Sequence, residues 1–169
     1  MAISATYRTD VEANDSAPAI AGLSASSLTF NAYNTAATLN SGTPVVVTKK
    51  ANFVLTLSGS SGTIDFTALP DAAGTQTFSG LKIQAIKIRN PSANVMSITK
   101  GASNGLGLTT SGTSFTIIIP PAYTSGGQTY PGEWVMLTPE GTPDVSGSVK
   151  TWDVTGTSTQ TLECTFLAG

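Results

Sequence analysis

The sequence contains no histidine and one cysteine, Cys164. The first absence removes the commonest general base and metal ligand, so Ser-His-Asp and Cys-His arrangements cannot be assembled within the chain. The second excludes an intrachain disulfide and, with no histidine, a Cys/His zinc site. Cys164 itself reads as a small buried hydrophobe. Charge is scarce too: 11% of residues carry it, against ~25% in ordinary domains. Eight Lys and Arg face ten Asp and Glu for a net charge of −2, and Lys49-Lys50 is the one adjacent basic pair. Nucleic-acid binding needs clustered cations and is not expected. No apolar run approaches the length of a membrane span, and the N-terminus lacks a charged-then-apolar secretion pattern. No membrane partner is expected either. Asn14-Asp15-Ser16 is a formal glycosylation sequon, with nothing beside it to place the chain in a secretory pathway.

Thr, Ser, Gly and Asn fill the gap left by charge. Thr suits a pleated surface, while Ser and Asn compete with the helical backbone, so the composition favours strands and turns. A chain of 169 residues suits one domain that buries roughly 70% of its unfolded surface. Residues 1–27 are rich in Ala, Ser, Asn and Asp, with weak periodicity. They read as an extended N-terminal arm with a short helical turn near Asp10-Val11-Glu12-Ala13. Residues 28–169 read as a single β-sandwich domain.

Period-two segments follow one another through that domain. Leu28 and Phe30 alternate with Thr29 and Asn31, and Val45-Val46-Val47 is a β-branched run after Pro44. Phe53, Leu55 and Leu57 alternate with polar or smaller residues, as do Ile64, Phe66 and Ala68. Further strands are expected at 81–89, 95–99, 115–119, 134–138, 149–154 and 161–166, each bounded by Gly, Pro, Asn or Ser. Phe53, Leu55, Ile83, Ile117, Trp134, Leu162 and Phe166 are the expected core. No window shows a capped helical period, and no fixed-period repeat is present. The fold expected is all-β, an antiparallel sandwich.

Within "LKIQAIKIRN" the alternation slips at Ala85-Ile86 and resumes out of phase. One extra residue flips the buried face, which a β-bulge accomplishes. The other reading is a strand buried on both faces.

Candidate chemistry is thin. Asp10, Glu12 and Asp15 form the densest acidic group, but their spacing fits no calcium loop. Asp65 and Glu133 could meet in space as a glycosidase-type pair, or simply be solvated strand-face charges. Ser79-Gly80-Leu81-Lys82 and Ser97-Ile98-Thr99-Lys100 match Ser-x-x-Lys. That spacing aligns both residues on a helix, whereas on a strand positions three apart face opposite ways. No phosphate-binding loop or dinucleotide fingerprint occurs, so no catalytic residue, metal or cofactor is assigned. The stretch "PPAYTSGGQTYPGEW" puts Tyr123, Tyr130 and Trp134 on or beside a Gly-rich loop. Trp134 reads as core at a strand start. The tyrosines either cover the open end of the sandwich, form a protein contact, or stack on a sugar.

The layout from Gly62 onward resembles small β-sandwich structural proteins of tailed-phage virions. The residues that carry this are "GTIDFTALPDAAGTQTFSGLKIQAIKIRNPSANVMSITKGASNG", "FTIIIPP", "YPGEWVML" and "VKTWDVTGTSTQTLECTFLAG". The resemblance covers residues 62–169 and consists of strand order and turn chemistry, with no catalytic signature. It implies a jelly-roll-like sandwich that decorates or cements a capsid, or serves in the tail. It implies location in the virion, assembly with copies of itself as a homo-oligomer, and binding to the major capsid protein or other virion proteins. A carbohydrate- or receptor-binding module of a tail tip or secreted enzyme is the alternative. Tyr123 and Tyr130 are the candidate interface residues, and the arm is a candidate attachment device.

Overall fold

The computed structural model describes residues 5–16, 27–39, 47–71, 74–109, 112–137 and 142–169. Its described residues contain no helix and twelve strands. These are β1 (Ala5–Ser16), β2 (Ser27–Leu39), β3 (Lys49–Thr56), β4 (Ser61–Asp65), β5 (Ile83–Asn90) and β6 (Met96–Lys100). They continue with β7 (Thr116–Ile119), β8 (Tyr123–Ser125), β9 (Gln128–Tyr130), β10 (Gly132–Leu137), β11 (Thr151–Thr155) and β12 (Thr161–Ala168). The Val45-Val46 part of the expected β-branched run lies outside the described residues.

Eight of these strands build two four-stranded antiparallel sheets, ordered β10-β5-β12-β3 and β4-β11-β6-β7. Counted along the chain, these are strands six-three-eight-one and two-seven-four-five of the eight. The chain changes sheet at every step except between β6 and β7, which are hydrogen-bonded neighbours. Two four-stranded sheets with this order make a jelly roll. The inner faces meet in one core, where Phe166 of β12 stands edge-on to Phe66 at 5.1 Å and to Trp152 of β11 at 5.9 Å. Trp152 also meets Phe66 at 5.0 Å and Phe115 at 5.3 Å. Its indole N–H is buried, and donates to Leu106 O at 2.8 Å. Such a partner is what allows a tryptophan deep inside an apolar core.

Ile83, Ile117, Leu162 and Phe166 are buried as the alternation predicts. Phe53, Leu55 and Trp134 face the same core but are only partly buried. The reason is position: β3 and β10 are the two edges of their sheet, so each lacks a neighbour on one side.

The phase slip in β5 is a bulge. Against β12, Ala85 pairs with Leu167 and Ile83 with Ala168, so Gln84 is the extra residue. Ile83 and Gln84 are consequently both buried, and Ile86, Ile88 and Asn90 continue inward in the new phase.

β1 and β2 pair with each other over their whole length and belong to neither four-stranded sheet. Two expectations change here. The helical turn near Asp10-Val11-Glu12-Ala13 is not formed, since those residues lie within β1. The strand that begins near Leu28 exists, but its partner is β1.

Candidate functional site

Between β7 and β10 the chain leaves the sandwich to make the small β8–β9 ribbon. Its sequence is nearly a palindrome, Tyr-Thr-Ser-Gly-Gly-Gln-Thr-Tyr. Tyr123 pairs with Tyr130, Thr124 with Thr129 and Ser125 with Gln128. Gly126 and Gly127 both have positive φ, +60° and +77°, the turn geometry that joins two strands by two residues and that side chains resist. The glycine pair between mirrored Thr and Tyr residues was a legible hairpin signal. Reading the stretch as a loop missed it.

Every residue of the two strands is exposed. Tyr123 is 68% and Tyr130 52% exposed, so they do not cover the end of the sandwich. Directly opposed residues share one face of a ribbon, which places both phenols side by side. The Tyr130 hydroxyl donates to Gln128 Oε1 at 3.0 Å along that face. Trp134, eleven residues beyond Tyr123 on β10, packs against the core instead.

The ribbon stands on a fixed base. Asn90, at the end of β5, is completely buried. Its Nδ2 donates to Pro120 O at 3.0 Å and to Asn94 O at 2.8 Å, while its Oδ1 accepts from Ser92 N at 2.9 Å. Ala122 N donates to Ser92 O at 2.8 Å, so the strand leading into the ribbon is tied to the β5–β6 turn. On the far side Gly132 passes so close to Pro120 that a Cβ would sit 1.9 Å from its carbonyl oxygen. Only glycine fits that crossing. Gln160 completes the corner, donating to Asn94 O at 3.1 Å and accepting from Thr157 N at 2.6 Å. The Asn- and Pro-rich turn after β5 thus anchors the exposed tyrosines.

The remaining polar candidates lie apart. Glu133 on β10 pairs with Lys87 at 3.1 Å and Arg89 at 3.6 Å, and Arg89 pairs with Glu163 at 2.8 Å. Asp65 is on β4 in the other sheet, paired with Lys150 at 2.8 Å. The structure therefore does not bring Asp65 and Glu133 together. Burial would raise the Asp65 carboxyl, but hydrogen bonds from Lys150 and from the Thr67 hydroxyl and backbone N–H, with the Lys150 charge, hold it below its ordinary value. Ser97 and Lys100 behave as strand residues: the Ser97 hydroxyl meets Thr155 Oγ1 at 2.6 Å, and Lys100 Nζ donates to Gly112 O at 2.5 Å. Ser79 accepts from the Thr77 hydroxyl at 3.1 Å. The Cys164 thiol is buried in the core, and burial, with the neighbouring Glu163 charge, pushes its pKa up to about 12. It is no nucleophile in the folded state. Among the described residues no three Asp, Glu or Cys side chains gather as a metal site would require.

No protein-family model, curated protein or solved structure matches the chain. What the site offers is therefore what its own geometry offers. It is a solvent-facing pair of phenols on a hydrogen-bonded base.

Proposed function

We propose that the chain is a non-enzymatic structural protein of a tailed-phage virion, a decoration or cement protein that binds the major capsid protein and stabilises the shell. The observation that carries this is the β8–β9 ribbon: two tyrosines held outward on a base that Asn90 and Gly132 lock to the sandwich. Tyrosine supplies large contact area at low entropy cost, and a preformed base lowers the ordering cost of binding further. The phage-like layout of residues 62–169 and the low-charge, histidine-free composition support the same reading. A jelly roll by itself assigns no role.

A protein inventory of purified particles tests the proposal first: the chain is expected there in many copies. Particles lacking it should lose heat resistance, and adding it back should restore that resistance. Tyr123→Ala with Tyr130→Ala should weaken co-sedimentation with the stripped shell while leaving the thermal melt of the free protein unchanged. The paired phenols also favour one second reading, a sugar-binding platform. Glycan-array signal lost in the same double variant, with no binding to particles, would replace the first reading by the second.

A further inference from the structure

We infer that the outer face of the β10-β5-β12-β3 sheet carries a binding site for a neutral saccharide. Val54, Glu163 and Arg89 stand directly opposite one another across β3, β12 and β5. Asn52, Thr165 and Lys87 form the next outward row, two residues along each strand. Alternation turns these six side chains away from the core, which Phe53, Cys164 and Ile88 face from between them. The six line a cleft of about 410 Å³, within the ~300–1,000 Å³ of small-molecule sites. Thr165, one of the shortest of them, stands between Asn52 and Lys87 at the middle of its row.

The lining is held in place yet keeps hydrogen-bonding capacity. Arg89 Nη1 donates to Glu163 Oε2 at 2.8 Å, and Thr165 Oγ1 donates to Asn52 Oδ1 at 3.2 Å. Among the described residues, Glu163 Oε1 and Asn52 Nδ2 have no hydrogen-bond partner. One is an acceptor and the other a donor. Lys87 pairs with Glu133 at 3.1 Å, and an ammonium has three donors to place. Val54, 59% exposed, adds an apolar surface at the end of the Glu163 row.

Charge selects the ligand class. Lys87 and Arg89 are matched by Glu133 and Glu163, two positive groups against two negative, so the network is neutral. Glu133 lies on β10, on the far side of Lys87 and Arg89 from the cleft. An anion would meet Glu163, and a cation would meet Lys87 and Arg89. Either would compete with an ion pair already made. A wholly apolar ligand would strip water from these charges and return no hydrogen bond. A hydroxyl both donates and accepts. One sugar hydroxyl can donate to Glu163 while its neighbour accepts from Lys87 or Asn52, and hydrogen bonds to charged groups are the stronger kind. The C–H face of the same ring suits Val54. No net charge is exchanged, so binding should change little with salt. The inference does not require the virion reading, and Tyr123 and Tyr130 take no part in it.

Nuclear magnetic resonance titration of the full chain tests it without any particle. The probes are maltose, lactose and mannobiose at millimolar concentration, with inorganic phosphate and putrescine as the anionic and cationic comparisons. At least one disaccharide should shift the Val54 methyl and Asn52 amide signals, at low and high salt alike, and the two ions should not. Glu163→Gln with Asn52→Ala should weaken that binding about tenfold or more, since two polar partners change. Thr165→Trp keeps every charge and fills the middle of the cleft, so it should abolish binding. Thermal melts establish that both variants remain folded. Tyr123→Ala with Tyr130→Ala should leave the titration unchanged. No disaccharide binding at millimolar concentration overturns the inference, and so does binding that survives Thr165→Trp. Binding lost only in the tyrosine variant would move the sugar site to the β8–β9 ribbon and overturn it too. Binding by phosphate or putrescine alone would make this an ion site instead. None of these outcomes touches co-sedimentation with the shell, so the two ideas fail separately.

Discussion

β12 and β3 are hydrogen-bonded neighbours with the same length and nearly the same alternation, yet they are buried very differently. On β12, Leu162, Cys164, Phe166 and Ala168 are all sealed from solvent. On β3 only Ala51 is, while Phe53 and Leu55 stay partly open. β12 has β5 on its other side, and β3 has no further strand. Alternation decides which way a side chain points. The number of neighbouring strands decides how much water that side chain leaves behind, and so how much it stabilises the fold.

The largest effect that should separate the two strands is a core truncation. Phe166→Ala should cost about 3–5 kcal/mol, because the cavity opens between the sheets beside Phe66 and Trp152. Phe53→Ala should cost less than half as much in urea melts. The two rings stack at 6.0 Å, so the double variant should lose less than the sum. Equal losses at the two positions would break the comparison.

Asn90 provides a polar counterpart at the ribbon's base. Asn90→Ala strands the carbonyl of Pro120 and the N–H of Ser92, which should cost about 1–3 kcal/mol. If the proposed function is right, it should also weaken co-sedimentation with the stripped shell, although neither tyrosine is altered. Unchanged stability by thermal melt would say that water replaces Asn90 freely.

Acid should act through Asp65. Its folded pKa is lowered relative to the unfolded value of 3.8. The stabilisation is therefore present above that unfolded value and is lost as pH falls through the lower folded value. Denaturant midpoints measured across the acid range should drop less steeply in Asp65→Asn than in the unmodified chain. Parallel curves would remove Asp65 from the account.

The smallest effect belongs to the outer face of the β10-β5-β12-β3 sheet. Arg89→Ala removes ion pairs to Glu133 and Glu163 whose side chains are 40% exposed. It should cost about 1 kcal/mol or less and fade with added salt. A larger, salt-independent loss would mean that these pairs are shielded from water and salt more than their exposure indicates. Cys164 offers a check on the same contrast between inside and outside. A thiol reagent should not label it in the native chain, but should do so once urea has unfolded the sandwich.

Much of the fold was readable in one dimension. Eight segments of alternation, at Phe53-Val54-Leu55, Ile64-Asp65, Ile83 to Arg89 and onward, correspond to the eight sandwich strands. The slip at Ala85-Ile86 correctly signalled a bulge, one residue from where pairing puts it. Tyr123 and Tyr130 could be named as candidate interface residues from their place on a Gly-rich stretch, but the sequence left open whether they cover the end of the sandwich, and their exposure is read from the structure. The partners were not readable. The alternation of Leu28 and Phe30 resembles that of a sandwich strand, but its neighbour proved to be β1.

By itself the sequence determined local conformation, the face each strand presents to the core, and the absence of histidine-based chemistry, because pleat period, turn propensity and composition are properties of neighbours along the chain. Only the tertiary structure decided which strands became edges, that Asn90 reaches Pro120 across 30 residues, that Asp65 pairs with Lys150 across 85, and that Tyr123 stands beside Tyr130 on an exposed ribbon. Those contacts depend on how loops close and sheets stack, and pairing partners distant in sequence leave no period behind for a local pattern to carry.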